Sequence, residues 1–183
     1  MTDTGKELLL SSLSSFYEKN DNYLQILKTI IDCKHQLSLR MIDWLVTNYA
    51  KNNNMIYWIS LNDDEIYDKL PENNSNNYKM INLYLDYRSQ LKSFKKINFD
   101  SFRRHDRISY ISSKGTAIET TIGQLNFFKW AFNNRVINYA LMNEKIIYEN
   151  MSNHSYKRTV KNKKNVVLPK NDILITKCYV SFD

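Results

Sequence analysis

A basic segment with interleaved aromatic residues, at positions 87–110, is the stretch of the sequence best suited to binding chemistry. Its acids are only Asp100 and Asp106. Cations can neutralise the phosphates of a nucleic acid. Arginine adds a planar fork that matches a phosphate or the edge of a guanine. The candidate phosphate-contacting residues of this segment are Arg88, Lys92, Lys95, Lys96, Arg103, Arg104 and Arg107.

The aromatic residues of the segment have two interpretations that the sequence leaves open. Exposed rings could stack on unpaired bases. Alternatively, the rings could belong to the hydrophobic core while the cations are solvated, with Asp106 paired to a neighbouring arginine. The residues concerned are Tyr87, Phe94, Phe99, Phe102 and Tyr110.

A second basic segment, residues 154–165, contains no acid. A flexible basic arm adds affinity for a polyanion and little specificity. The same composition also suits a localisation signal or a solvated linker. If this segment met the first one in space, the two would make a single basic patch. Its candidate nucleic-acid-binding residues are Lys157, Arg158, Lys161, Lys163 and Lys164.

An enzymatic interpretation depends on Asp86, which is followed by Gln90 and Lys92. This spacing resembles the tail of a nuclease pattern in which a carboxylate holds Mg²⁺ and a lysine positions the attacking water. The pattern needs a second acid, for which Glu119 and Glu144 are the candidates. No P-loop, dinucleotide-binding glycine motif, GxSxG or HExxH motif occurs. We therefore assign no catalytic residue, cofactor or metal ligand.

The composition of the chain limits which kind of protein it can be. The chain has 183 residues, a formal net charge of +7, three glycines and two prolines. A basic balance favours an anionic partner, although the Asn and Lys excess is also what an AT-rich genome encodes. Cys33 and Cys178 are isolated, which fits a reducing compartment. With no secretory signal or membrane-length apolar run, we expect a soluble intracellular protein.

Hydrophobic periodicity predicts helices near the N-terminus and strands further on. Ser38 can cap the third helix. An acidic, Asn-rich loop is expected at 62–77, and a basic loop or arm at 152–165. The predicted helices are 5–19, 23–34 and 39–51, and the predicted strands are 55–61, 81–87, 107–112, 166–168 and 173–180.

Residues 118–151 have the longest helical periodicity and predict a central helical hairpin. Two capping pairs are possible at its start, Thr116 with Glu119 or Thr121 with Gln124. A break is expected at 133–134, because asparagine readily takes the left-handed conformation. As an alternative function, the aromatic face of the hairpin would dock a protein partner. That face is centred on Phe127, Trp130 and Phe132.

Several stretches resemble an uncharacterised protein family of nucleocytoplasmic large DNA viruses. They are LSLRMIDWLVTNYAKNNN, YLDYRSQLKSFKKINFDSFRRHDRI, IETTIGQLNFFKWAFNNRVINYAL and the ending CYVSFD. The resemblance covers most of residues 37–151 and the extreme C-terminus. It implies a viral protein in the host cytoplasm, with the virion as a second location. It transfers no catalytic residue.

These observations predict a single α+β domain over residues 1–183. It would combine N-terminal helices, a small mixed or antiparallel sheet, a central helical hairpin and a C-terminal strand. The leading hypothesis for its function is a non-enzymatic nucleic-acid-binding accessory protein of viral replication, transcription or genome packaging. The expected partner is DNA or RNA. A viral protein partner is the alternative, a metal-dependent nuclease is the third interpretation, and no membrane partner is expected.

Overall fold

Helices alternate with two small groups of strands along the chain. The computed structural model describes the backbone of residues 3–72 and 77–164, and the side chains of 4–72 and 77–154. The helices are α1 (Asp3–Lys19), α2 (Asp21–Ile31), α3 (Leu39–Trp44), α4 (Ala50–Asn52), α5 (Leu83–Asn98), α6 (Ile122–Asn133), α7 (Val136–Met142) and α8 (Glu144–Lys164). The strands are β1 (Ile56–Ser60), β2 (Ile66–Tyr67), β3 (Tyr78–Asn82), β4 (Arg107–Ile111) and β5 (Ala117–Thr121).

The strands form two separate antiparallel sheets. The first has the order β2-β1-β3, and β4 and β5 form the second. In the first sheet Trp58 lies opposite both Tyr67 and Met80. In the second, Tyr110 lies opposite Ile118. Together with the helices these sheets confirm the predicted α+β class.

The chain divides into two compact units, residues 1–151 and 152–183. The first unit contains all the elements from α1 to α7 and the start of α8. In the second unit, the described part is the remainder of α8. The expectation of one domain over the whole chain therefore stays a prediction.

The N-terminal helices agree with the sequence prediction, and a side-chain cap explains where the third of them begins. The Ser38 hydroxyl oxygen accepts a hydrogen bond of 3.1 Å from the backbone N–H of Met41, as expected for an N-cap. The third helix has a π-helical turn at Leu45–Tyr49 between α3 and α4. Such a turn inserts a residue into the helix, and here both Leu45 and Val46 are fully buried.

The strand predicted at 81–87 is wrong beyond its first two residues. β3 ends at Asn82, whose side-chain oxygen accepts a 3.1 Å bond from the N–H of Leu85 and caps α5. The alternation of apolar residues over 81–85 favoured a strand. The helical structure follows instead from a second set of residues, which recur at helical intervals and pack on the core: Tyr84, Tyr87, Leu91 and Phe94.

The predicted hairpin is present but begins later than expected. Residues 117–121 form β5, and Thr121 caps α6 with a 3.1 Å bond to the N–H of Gln124, so the second of the two capping pairs is correct. α6 ends at Asn133, close to the predicted break. The left-handed residue there is Arg135, with φ 53°, rather than an asparagine. Asp64 and the hydroxyl of Tyr23 both contact the Arg135 guanidinium.

The C-terminal segments differ in how far the structure describes them. Where a basic loop or arm was predicted at 152–165, α8 is helical through Lys164. No proline or glycine interrupts these residues, and lysine and arginine are good helix formers. The strands predicted at 166–168 and 173–180 lie outside the described residues. Within the described part, no helix is long and apolar enough to cross a membrane.

The core is built around α6, which is buried on nearly every side. Phe127 and Phe128 are fully buried. Two buried tyrosines reach this region from distant parts of the chain. The Tyr17 hydroxyl donates to the carbonyl of Leu125 at 2.8 Å, and the Tyr57 hydroxyl donates to the carbonyl of Asn134 at 2.6 Å. Burial raises the pKa of both phenols, so they stay neutral donors at physiological pH.

The Tyr17 hydrogen bond gives a stability test. Because the bond is buried and ties α1 to α6, Tyr17→Phe should lower the free energy of unfolding by about 1 kcal/mol. Chemical denaturation followed by circular dichroism would measure the change. Tyr148→Phe is the matched control, because Tyr148 is 57% exposed. A loss in the Tyr148 variant equal to that of Tyr17→Phe would contradict the assignment.

Candidate nucleic-acid interface and a neighbouring cavity

The outer side of α5 carries the first cations of the basic segment. Arg88 and Lys92 are exposed, and their four-residue spacing puts them on one face, about 6 Å apart along the helix axis. The adjoining side of α5, with Tyr87 and Leu91, packs on the core. Amphipathic spacing therefore holds these two cations towards solvent.

A kink interrupts α5 at Lys95, which has φ 59° and ψ 159°. Both Lys95 and Lys96 are exposed. The Lys96 ammonium lies 3.9 Å from Asp100, an ion pair that is mostly open to solvent on the lysine side. Such a pair is weakly held. Lys96 thus remains available to an external anion.

The loop that follows α5 carries Arg103 and Arg104, and Arg107 is the first residue of β4. The Arg103 guanidinium pairs with Asp106 at 2.7 Å, and its side chain is only 24% exposed. The hydrogen bond from Arg103 is the main cause that lowers the pKa of the Asp106 carboxyl. Arg104 and Arg107 are exposed and have no salt-bridge partner among the described residues. The sequence expectation that Asp106 pairs with an arginine is confirmed.

Polar side chains of α6 fix the position of this loop. Asn126 donates to the carbonyl of Asn98 at 2.9 Å, and Gln124 donates to the carbonyl of Ser101 at 3.0 Å. Both side chains are buried. At Gly123 an added Cβ would lie 3.1 Å from the carbonyl oxygen of Ile97, so only glycine allows this close approach without displacement. The basic loop is thus attached to the centre of the core.

The aromatic residues of the segment belong mostly to the core. Phe99 is fully buried and Tyr110 is 7% exposed. Tyr87 and Phe94 are partly buried against the core, and Phe99 lies in a ring cluster with Phe127 and Trp130. Of these five rings, only that of Phe102 is exposed, at 36%. The structure therefore favours the core interpretation over a series of base-stacking rings.

The second basic segment lies on the C-terminal part of α8, in the second unit. Its backbone is helical as far as Lys164. The side chains of Lys157, Arg158, Lys161, Lys163 and Lys164 lie outside the described ones. Whether the two basic segments form one patch stays a prediction.

The structure does not bring the proposed nuclease residues together. Asp86 and Lys92 lie about 120° apart around the axis of α5. Asp86 accepts a 2.9 Å bond from the indole N–H of Trp130. Glu119 bonds to Ser109, and Glu144 to Gln36. Among the described residues no group of three or more His, Cys, Asp or Glu could hold a metal ion.

The docking face proposed for the hairpin is also inaccessible. Phe127, Trp130 and Phe132 are between 0% and 5% exposed. Their spacing marks the helix face that packs into the core, because α6 is covered by α1, α5 and α7. A partner protein cannot contact these rings in the folded chain.

A cavity of about 630 Å³, which sequence reasoning missed, lies between α1, β3, α5 and α6. Its charged lining residues are Lys79, Lys129 and Asp86. Lys79 donates to the side-chain oxygen of Asn134 at 2.9 Å, and Lys129 donates to the hydroxyl of Ser12 at 2.9 Å. Partial burial lowers the pKa of Lys129. No local motif signals this site, because its residues come from four separate elements.

Comparison with known proteins identifies the chain's relatives. A family described as being of unknown function matches residues 1–173. The chain is 32% identical over 166 residues to an uncharacterised protein of Acanthamoeba polyphaga mimivirus. The match covers 86% of this chain and 58% of that relative, so the chain spans little more than half of the relative's length. No solved structure matches. The resemblance to a giant-virus protein family is confirmed.

The attachment of the basic loop to α6 can be tested at Asn126. Asn126→Ala removes the donor to the buried carbonyl of Asn98, so it should lower the free energy of unfolding by about 1–3 kcal/mol. Asn150→Ala is the matched control, because Asn150 makes the same type of amide-to-backbone bond on the surface. Denaturant titration of both variants would measure the difference. Equal changes in the two variants would show that the buried bond has no special role.

Proposed function

We propose that this chain, which belongs to the family of unknown function DUF7197, is a non-enzymatic nucleic-acid-binding accessory protein. The observation that supports this proposal best is the exposure of the basic segment. Five of its seven cations are exposed and have no ion-pair partner in the described part of the chain. They are Arg88, Lys92, Lys95, Arg104 and Arg107.

The proposed mode of binding is neutralisation of phosphates. The exposed cations lie on α5, in the loop that follows it and at the start of β4, and each of them can contact a phosphate. Each contact releases counterions, so affinity falls as salt rises. The burial of Phe99 and Tyr110 removes most of the stacking surface that the segment would otherwise offer. Binding through this surface should therefore depend little on base sequence.

Arg103 has a different part in this surface. Its ion pair with Asp106 and its 24% exposure hold it in place in the loop. The buried Nε atom of Arg103 has no hydrogen-bond partner among the described residues. We assign Arg103 to positioning the loop, while Arg104 and Arg107 contact phosphate.

The proposed biological setting is viral replication, transcription or genome packaging. A relative from a giant DNA virus supports a viral setting. We place the protein in the host cytoplasm, with the virion as a second location. The basic helix residues between 157 and 164 would add affinity for DNA or RNA.

A protein-interaction role is the second candidate, through residues other than the predicted aromatic face. Met142 is 68% exposed, Ile146 50% and Tyr148 57%. These residues lie in α7 and the start of α8, within the first unit. A group of exposed apolar side chains is typical of protein contacts.

A photo-crosslinking residue at position 142 would test this role. It should capture a protein partner in infected cells, whereas crosslinking no stronger than at position 34 would contradict the role.

Removing two cations from α5 tests the leading proposal. Arg88→Gln combined with Lys92→Gln should weaken binding to duplex DNA, single-stranded DNA and RNA alike. The slope of log affinity against log salt should become shallower by about 2, because each lost phosphate contact accounts for about 1. Fluorescence anisotropy with labelled oligonucleotides, between about 50 and 200 mM salt, would measure both quantities.

The control is Lys34→Gln combined with Lys69→Gln. Both lysines are exposed, and the control loses the same charge elsewhere on the surface. An equal loss of affinity in the control would mean that only the total charge matters. Absence of binding by the unaltered chain at the lowest salt concentration would overturn the proposal.

A further inference from the structure

The cavity between α1, β3, α5 and α6 has the chemistry of a small-ligand site. Its volume of about 630 Å³ lies in the usual range for ligand pockets, about 300–1,000 Å³. Its lining includes two lysines and a single carboxylate, so the local charge is positive. We propose that this cavity binds one nucleotide, with its phosphate at the lysines and its base beside α5.

The lysines provide the phosphate-binding end. The ammonium groups of Lys79 and Lys129 each have three hydrogens that can be donated. Lys79 donates to the side-chain oxygen of Asn134, and Lys129 donates to the oxygen atoms of Ser12. Lys79 is exposed at the rim and retains unused donors. Lys129 is only partly exposed, and its desolvation lowers its pKa. A phosphate placed here would favour the charged form of Lys129 and receive charge-assisted hydrogen bonds.

The base-binding end is on α5. Asp86 and Gln90 are one helical turn apart and both line the cavity. One carboxylate oxygen of Asp86 accepts a 2.9 Å hydrogen bond from the Trp130 indole N–H, and the other oxygen has no hydrogen-bond partner in the described part of the chain. The side-chain amide of Gln90 makes no hydrogen bond to any described residue. A carboxylate beside an amide provides hydrogen-bond acceptors and a donor next to each other. Proteins recognise the edge of a base through such groups.

Apolar side chains complete the match to an aromatic ring system. Phe94 and Leu9 line the cavity and are partly buried, and Met80 and Leu85 are exposed at its edge. A flat ring between such side chains buries apolar surface that is otherwise open to water. A sugar phosphate or inorganic phosphate would bind to the lysines and leave these apolar side chains exposed to water. The combination of cations, polar groups and apolar side chains therefore fits a nucleotide better than a sugar phosphate or inorganic phosphate.

The cavity lies on a different side of α5 from the proposed phosphate surface. Gln90, which lines the cavity, and Lys92 lie about 160° apart around the axis of α5. The inference goes beyond the proposed function, because a free nucleotide could occupy the cavity without any strand on the outer surface. The same site could equally receive an unpaired nucleotide of a bound strand.

Binding of free nucleotides by the full chain is the direct test. AMP, GMP, CMP and UMP would be titrated separately, followed by calorimetry and by amide shifts in ¹H–¹⁵N NMR spectra. We expect saturable binding of at least one nucleotide, with shifts at residues 79–90 and 126–134. Inorganic phosphate should bind at least about tenfold more weakly, because it makes only the lysine contacts.

Two variants separate this site from the outer surface. Gln90→Glu keeps the shape of the side chain but adds a negative charge, and Lys79→Gln removes a cation at the rim. Each should weaken nucleotide binding at least about tenfold, while Lys34→Gln should leave it unchanged. The combined Arg88→Gln and Lys92→Gln variant should bind free nucleotides normally. A loss of strand binding could therefore be distinguished from a loss of nucleotide binding in the cavity.

Each remaining outcome has a definite meaning. If no free nucleotide binds but Gln90→Glu weakens binding of single strands more than of duplexes of equal length, the source of the nucleotide is a strand. If neither free nucleotides nor single strands respond to Gln90→Glu and Lys79→Gln, the inference is overturned. Equal affinity for inorganic phosphate and nucleotides would also overturn it, because the cavity would then be only an anion site.

Discussion

The buried hydrogen bonds from α6 to the segment after α5 are the constraint on which most of the structure depends. Gln124 and Asn126 are amide side chains inside the core, where an unpaired polar group is costly. Their donors are directed at the carbonyls of Asn98 and Ser101. These bonds leave little freedom in the placement of the loop. The close approach at Gly123 has the same effect, because backbone contacts backbone there without an intervening side chain.

This attachment explains how a segment so rich in both rings and cations can fold without conflict. The chain turns inwards at Phe99, which is fully buried between rings of α5 and α6. The neighbouring cations cannot follow it, because burying an unpaired charge is far more costly than leaving it in water. They therefore lie on the outside of α5, in the loop after it and at the start of β4. The segregation follows from solvation alone, and a basic surface is its consequence.

The sequence predicted those elements whose signals are local. Ser38 and Thr121 cap helices through their own side chains. The strand predicted at 81–87 failed because alternation and helical spacing overlap there, and the cap at Asn82 decides between them. The cations of α5 were predictable from composition. Which rings were buried was not, because burial depends on α6, more than twenty residues away in sequence.

The cavity is the part of the site that local patterns could least reveal. Lys79, Asp86 and Lys129 have no motif in common, and tertiary packing alone makes them neighbours. α5 is central to this arrangement, because its sides face three environments: the core at Tyr87, the cavity at Gln90 and solvent at Lys92. Any change in the rotation of α5 would alter all three together. The cap at Asn82 and the bond from Trp130 to Asp86 oppose such a rotation, so the features that stabilise the helix also keep its basic face and its cavity face in register.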